Sequence, residues 1–279
     1  MTNAPTAYIC ETCGTQYAER TAPPDSCPIC SDERQYVGWQ GQTWTTLDEL
    51  AQTHRVVIEP DHDLLGIGVT PRFAIPQRAL HIQTDAGNIL WECVSLVTDE
   101  AVAALEARGG VDLIAISHPH FYSSMVEWSD ALGGVPILVN ANDRQWVARS
   151  SPAVTFWEGD EHRLSPTVTL YRCPGHFPGS TVLHWTAGPH GRHLLLSGDA
   201  LHVAQDRRHV SFPYSVPNHL PAHPDDVAET QARLAGLEID DVYGFTWELN
   251  IVGDGRAAVD RSFDRYFRAV GREVTAATS

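Results

Sequence analysis

Three histidines and one aspartate have the types and settings expected of metal ligands. His118 and His120 lie in Ser-His-Pro-His, two residues apart, so in extended backbone both rings would project to the same side. His176 lies in Pro-Gly-His-Phe-Pro-Gly, and Asp199 lies in Ser-Gly-Asp-Ala. Neutral imidazole is the commonest metal ligand among side chains. Three imidazoles and one carboxylate would suit a single Zn²⁺ or Fe²⁺ ion.

Four cysteines near the N-terminus form a second candidate metal site. Cys10 and Cys13 make one C-x-x-C pair, and Cys27 and Cys30 make another. Two such pairs at short separation indicate a tetrahedral four-thiolate site. The spacing does not distinguish zinc from iron, since both metals accept four thiolates. Four unrelated thiols remain the alternative.

Predicted strands precede the candidate histidine and aspartate ligands. The apolar run Val111–Ile116 is typical of a strand buried on both faces, and it ends just before His118. Thr167–Cys173 is predicted to deliver the third histidine, and His193–Leu196 to run into the aspartate. Strands come first along the chain and mixed strand–helix units follow. This order favours an α/β protein with two packed sheets flanked by helices.

From about Trp39 to its end, the chain resembles a metallo-β-lactamase-fold protein. The resemblance rests on the order of three motifs: a buried strand running into H-x-H, then P-G-H-x-P-G-S, then S-G-D-A. It implies a four-layer αββα sandwich over residues 39–279. It also implies that the three histidines bind a first metal and that Asp199 bridges to a second.

Residues 1–38 are predicted to form a separate small domain. The stretch from Tyr8 to Val37 resembles the rubredoxin-like domain found at the end of rubrerythrins, through Tyr-x-Cys-x-x-Cys-Gly and Pro-x-x-x-Cys-Pro-x-Cys. Those relatives hold iron and pass electrons, whereas similar ribbons elsewhere hold zinc and only stabilise the fold. The resemblance therefore implies Zn²⁺ or Fe at the four cysteines and leaves the choice between them open.

The sequence departs from the family pattern at the second metal site. The fuller family motif is H-x-H-x-D-H, and Tyr122 and Ser123 stand where its aspartate and last histidine should be. Phe245 stands where a later family histidine is usual. A neutral phenol or hydroxyl supplies neither charge nor strong basicity to a divalent metal. We therefore expect one ion, Zn²⁺ or Fe, at the histidine and aspartate site.

These residues predict a metal-dependent hydrolase of an ester, thioester, lactone or amide, acting through a hydroxide on that single ion. Asp199 is expected as a ligand or as a base that orients the water. Tyr122 is expected to donate a hydrogen bond to the developing oxyanion or to the leaving group. Two alternatives stay open. One is a redox protein with iron in the cysteine ribbon and at the histidines, and the other is a non-catalytic binding module.

Weaker signals suggest where a substrate would bind. His62 lies in an early turn that can overhang the metal in this fold. Ala204–Ala222 is predicted to be a long irregular loop whose Arg207 and Tyr214 wall a substrate pocket. His202, three residues after Asp199, would reach the site if that segment turns helically.

Composition restricts the partners. The formal net charge is −16, which disfavours nucleic acid and anionic lipid, because both attract Lys and Arg. The sequence shows neither a signal peptide nor an apolar run long enough to span a membrane, so we expect a cytoplasmic protein. A small-molecule substrate is the expected partner, and a homo-oligomer is compatible with the sequence.

Overall fold

The computed structural model describes residues 4–272. Its N-terminal part is the cysteine ribbon, which carries Cys10, Cys13, Cys27 and Cys30. Strand β1 (Ile9–Cys10) pairs antiparallel with β2 (Trp44–Thr45), and the short helix α1 (Pro28–Ser31) carries the last cysteine. The predicted division at residue 38 stays a prediction. The ribbon strand β1 nevertheless pairs with a strand that lies beyond this boundary.

The first large sheet has seven strands, arranged in the order in which they occur along the chain. They are β3 (Arg55–Asp61), β4 (Leu64–Thr70), β5 (Ala79–Thr84), β6 (Gly87–Trp91), β7 (Leu113–Ala115), β8 (Ile137–Asn140) and β9 (Val154–Trp157). Pairing is antiparallel from β3 to β6 and parallel from β6 to β9.

The second large sheet and two small hairpins follow. The strands are β10 (Glu161–Arg163), β11 (Val168–Arg172), β12 (Thr181–Trp185), β13 (Leu194–Leu196), β14 (His202–Val203), β15 (Val210–Ser211), β16 (Pro213–Ser215), β17 (Leu220–Pro221), β18 (Asp241–Tyr243) and β19 (Asn250–Ile251). The sheet order is β10-β11-β12-β13-β18-β19. The stretch predicted as one irregular loop instead contains the hairpins β14–β15 and β16–β17. Pairing of their backbone groups satisfies hydrogen bonds that a plain loop would leave to water.

Helices cover the outer faces of both sheets. They are α2 (Leu47–Thr53), α3 (Asp99–Glu106), α4 (Met125–Ala131), α5 (Pro224–Leu234) and α6 (Gly255–Ala269). Thr46 caps α2 in a capping box with Glu49, as the Thr-x-x-Glu spacing indicates. Among residues 4–272 there is no helix of the length and apolarity that a membrane crossing requires.

Alternating side chains on the strands build three apolar layers. In β6, Ile89 points into the core between the sheets, where it joins Leu183 of the second sheet. Its neighbour Leu90 points outward, into the core that includes Trp128 of α4. On the other side, the outer core joins Val242 of β18 to Phe263 of α6. These layers confirm the predicted four-layer αββα sandwich.

Two strands, one from each sheet, end at the same edge of the sandwich. Strand β7 leads to Ser117, and β13 leads to Gly198. A Cβ on Gly198, which has a φ of +51°, would lie 2.5 Å from Ser117 Oγ. Glycine is therefore required for the two loops to approach each other. The Ser117 carbonyl also accepts a hydrogen bond from the Thr181 backbone N–H at 2.9 Å.

Candidate metal centres

The four cysteine side chains of the ribbon converge. Their sulfur atoms lie within 4.8 Å of one another, and all four residues are buried. The Sγ atoms of Cys10 and Cys30 are 3.5 Å apart, and those of Cys13 and Cys27 are 3.7 Å apart. The ribbon therefore contains a compact four-sulfur group that could hold one metal ion.

Hydrogen-bond donors point at these sulfur atoms. The Tyr17 hydroxyl donates to Cys27 Sγ at 3.1 Å, and the Gln42 side-chain amide donates to Cys10 Sγ at 3.1 Å. Donors directed at sulfur favour the thiolate form, and buried thiolates require a compensating cation. The polar surroundings of the cluster thus fit a bound metal of either predicted kind.

His118, His120, His176 and Asp199 form a second convergent group, although they come from three separate loops. One ligand atom of each lies within 4.8 Å of the others. His120 Nδ1 is 3.0 Å from His176 Nε2. Asp199 Oδ2 is 3.7 Å from His118 Nε2 and 3.9 Å from His176 Nε2. The side chains of His118 and His176 are wholly buried.

The His-Pro-His stretch is not uniformly extended, contrary to the expectation from its spacing. His118 is extended, but Pro119–Phe121 forms a 3₁₀ turn, because proline favours the first position of a helical turn. The rings of His118 and His120 still meet, with their centroids 5.3 Å apart. The turn, and not strand alternation, brings the two imidazoles together.

Contacts on the far side of two rings select the nitrogen that faces the cluster. His176 Nδ1 lies 2.9 Å from the Tyr214 carbonyl oxygen, which can only accept, so this nitrogen carries the proton. His118 Nδ1 lies 2.8 Å from Ser117 Oγ. In each ring Nδ1 is engaged by an oxygen and Nε2 is the nitrogen that faces the cluster, and in His176 this Nε2 presents a lone pair. His118 Nε2 is buried and has no hydrogen-bond partner among residues 4–272, as expected of a nitrogen that binds metal.

Burial keeps the histidines neutral. Desolvation lowers the pKa of His118 and of His120 well below the usual value, and it also lowers the pKa of His176. Neutral imidazole is the form that binds a metal. The chemistry of this group therefore fits one divalent ion held by three nitrogens and one carboxylate oxygen.

Glu92 lies behind the cluster and was missed by the sequence reasoning. Its carboxyl group accepts a hydrogen bond from the Ser117 backbone N–H at 3.2 Å, just before the first histidine. Burial raises its pKa to about 8. The available signal was a charged residue inside the apolar run at the end of β6, since carboxylates are rarely buried without a role.

His202 contacts the aspartate of the cluster. Its Nδ1 lies 3.0 Å from Asp199 Oδ1, because Gly198–Leu201 forms a turn that brings the two side chains together. Burial opposes charge on His202, but the hydrogen bond and the charge of Asp199 outweigh it and raise the pKa of His202. His202 therefore contacts the candidate metal ligand Asp199, through a turn of the kind that their spacing required.

The ribbon contributes a side chain to the edge of the histidine group. Arg34, which follows the last cysteine, lies with its guanidinium 4.2 Å from the centre of the Phe177 ring. One of its N–H groups donates to the His176 carbonyl oxygen at 3.4 Å. Asp32 pairs with the same guanidinium at 2.6 Å. The cysteine ribbon and the histidine group thus meet at one arginine, a contact that sequence spacing does not reveal.

Other predicted site residues lie elsewhere or contribute differently. Tyr214 contributes its carbonyl to His176, while its hydroxyl donates to Glu33 of the ribbon. Arg207 is exposed in the turn between β14 and β15, with its backbone N–H on the Ala204 carbonyl. Neither side chain is brought to the four ligand groups.

His62 lies at the opposite end of the sandwich from the histidine group. It occupies the turn between β3 and β4, and the next residue, Asp63, lies 3.5 Å from His190. His190 lies before β13, whereas the candidate ligand Asp199 lies after it. The length of this strand therefore separates His190 from the histidine group. This hairpin therefore does not overhang the cluster.

Tyr122 and Ser123 face the ribbon. Tyr122 is buried and lines a small cavity together with Thr15 and Gln16. The Ser123 carbonyl accepts from the Gln16 backbone N–H at 3.0 Å. Among residues 4–272, the Tyr122 hydroxyl makes no hydrogen bond to the histidine group. Its catalytic role therefore stays a prediction that no contact supports. Phe245 stacks on Phe121 with ring centroids 5.6 Å apart.

Comparisons with known proteins agree with this architecture. No protein-family model matches the chain. The chain is 39% identical over 270 residues to the uncharacterized protein YmaE of Bacillus subtilis, covering 96% of this chain and 98% of YmaE.

Among solved structures, the metallo-β-lactamase DIM-1 superposes with a TM-score of 0.56 at 12% identity, covering 77% of this chain and 98% of DIM-1. The class B3 di-zinc metallo-β-lactamase LRA-12 from an Alaskan soil metagenome gives a TM-score of 0.50 at 15% identity, covering 75% and 90%. At such identities the likeness concerns the fold. The chain therefore belongs to the family of Bacillus subtilis YmaE, and it has the metallo-β-lactamase fold.

Proposed function

We propose that this protein is a metal-dependent hydrolase that uses one Zn²⁺ or Fe²⁺ ion held by His118, His120, His176 and Asp199. Its substrate is a small molecule with an ester, thioester, lactone or amide bond. The observation that carries this proposal is the convergence of three buried, neutral imidazoles and a carboxylate at the shared edge of the two sheets. In catalytic zinc sites three protein ligands commonly hold the ion and leave a further position open for water or substrate.

A divalent metal bound there would supply Lewis acidity, polarising a substrate carbonyl and making water more acidic. The chain's own residues orient the ligands. The Tyr214 carbonyl and Ser117 hold two imidazoles with Nε2 toward the site. His202 Nδ1 is hydrogen bonded to Asp199 Oδ1, and Asp199 Oδ2 faces the histidines. The Asp199–His202 pair is placed to accept the proton that a water nucleophile releases.

The assignment of a single ion is supported by the residues at the second-site positions. The Ser123 carbonyl accepts a hydrogen bond from the Gln16 backbone N–H. The Ser123 hydroxyl accepts another from the Gln77 side-chain amide at 2.8 Å. Phe245 stacks on Phe121 and lies 5.1 Å from the His202 ring. These side chains are used in packing, and none of them offers a metal a charged or strongly basic atom.

Elemental analysis tests the two metal sites. The intact protein is expected to hold two metal ions per chain, with one lost in His120→Ala and the other lost in Cys13→Ser. His190→Ala, an exposed histidine at the opposite end, is the matched control and should keep both. Full metal content in His120→Ala would refute the proposed active site. Hydrolysis of a panel of esters, thioesters, lactones and amides should then disappear in Asp199→Asn.

The position of the ribbon favours a second candidate, a redox protein with iron at both sites. Arg34 of the ribbon reaches the backbone of His176, so the two metal groups lie in adjoining parts of the fold. The colour of the purified protein separates the two candidates. A red iron–thiolate absorption that bleaches on reduction would support electron transfer, whereas a colourless zinc ribbon would support the hydrolase.

A further inference from the structure

A cavity of about 550 Å³ lies between the two small hairpins and helix α6. Its size falls in the range of small-molecule sites, roughly 300–1,000 Å³. Apolar side chains of both hairpins and the helix form much of its wall, among them Val210, Phe212, Val216, Leu220 and Tyr266. A cavity with such a lining favours an apolar ligand group.

His202 joins this cavity to the candidate metal centre. It lines the cavity, and its Nδ1 is hydrogen bonded to Asp199 Oδ1 at 3.0 Å. Its side chain is 18% exposed, whereas that of Asp199 is 7% exposed. The cavity therefore begins one side chain away from the proposed metal ligand.

The charge around the cavity is opposite to that of the whole protein. The chain has 35 acidic and 19 basic residues, yet the lining drawn from residues 4–272 includes neither Asp nor Glu. Within the described part of the chain, Arg265 supplies the one guanidinium of this lining. It is exposed, donates to the Val210 carbonyl at 3.1 Å, and has no ion-pair partner in the described part of the chain. An anionic group on the ligand would pair with it.

We propose that this cavity binds the apolar part of the substrate, which carries an anionic group at the end remote from the scissile bond. The inference rests on the proposed hydrolase function and narrows its substrate class. The scissile carbonyl lies toward Asp199, the apolar chain passes His202 into the cavity, and the anionic end pairs with Arg265. A simple acetyl ester would leave the cavity unfilled and would be a poor substrate.

Calorimetry on the full chain with two probes tests this site without turnover. The probes are the mono-N-methylamide of suberic acid, which has a carboxylate at the far end, and N-methyloctanamide, which lacks it. The carboxylate probe should bind about fivefold more tightly, the size expected of one partly exposed ion pair. Arg265→Gln should remove this difference, and Arg268→Gln, on the same helix but outside the lining, should keep it.

Val216→Trp fills part of the cavity and should weaken both probes by about tenfold or more. Equal binding of the two probes to the unaltered protein, or equal losses in Arg265→Gln and Arg268→Gln, would overturn the proposed orientation. Unchanged binding in a folded Val216→Trp would overturn the site. If the probes behave as expected while the metal-loaded protein hydrolyses none of the panel, the hydrolase function fails and the binding site stands.

Discussion

Replacing Arg34 by alanine should weaken both the fold and the histidine metal site. The guanidinium lies between the ribbon and the metal loop, 13% exposed, with Asp32 on one side and the Phe177 ring on the other. Phe177 in turn borders two candidate ligands, since its ring centroid lies 4.9 Å from that of His120 and 5.2 Å from that of His176. The arginine therefore supports the ligands through one aromatic ring and one backbone carbonyl.

The expected loss follows from these contacts. A largely desolvated cation–π contact contributes about 1–2 kcal/mol. Removing the arginine also leaves Asp32, whose side chain is 16% exposed, without its partner, at a cost of about 1 kcal/mol. We expect the free energy of unfolding to fall by about 2–3 kcal/mol. Contacts that orient metal ligands typically change metal affinity by about 10–100-fold, so the affinity for Zn²⁺ should fall at least tenfold.

Urea unfolding and competition with a chromophoric chelator measure the two quantities. Arg144→Ala is the matched control, because its guanidinium lies 3.7 Å from the Phe156 ring, in a contact that does not include the candidate ligands. The control should lose some stability and keep its Zn²⁺ affinity at the histidine site. If Arg34→Ala and Arg144→Ala bind Zn²⁺ equally well at that site, the proposed support of the histidines by the ribbon is wrong.

Three further substitutions test the packing and the buried charges. Burial raises the pKa of Asp143 to about 7. The folded state therefore holds a proton that the unfolded chain releases above about pH 4, and stability falls as the pH rises from there to about 7. Asp143→Asn should abolish this fall and stabilise the protein at pH 8 by on the order of 2 kcal/mol, and parallel pH profiles would contradict this. Gly66→Ala would place a Cβ 2.5 Å from the Trp247 ring and should cost about 1–3 kcal/mol in urea unfolding. Asp61→Asn leaves the buried Arg78 without its ion-pair partner and should cost about 3–5 kcal/mol, so a near-neutral effect would show that the pair is dispensable.

Local spacing was enough to predict both metal groups. The two C-x-x-C pairs place four thiols in one small loop structure, because each pair spans a single turn. The histidine motifs could be found because each follows a strand that the apolar pattern marks out. The order of these motifs also carried the fold class, which the sheets and helices confirm.

The contacts around the metal group depended on the tertiary structure. Arg34 and His176 meet although 142 positions separate them, and the hairpin of His62 lies at the far end although its sequence resembles a polar turn that could overhang the site. The contact of Glu92 with the Ser117 backbone N–H, 25 positions along the chain, arises because β6 and β7 pair in parallel and end side by side. Sequence spacing determines which groups are close within one turn or strand, over a few residues. The direction of each sheet and the packing of its loops determine which distant side chains meet, and that information is absent from any local pattern.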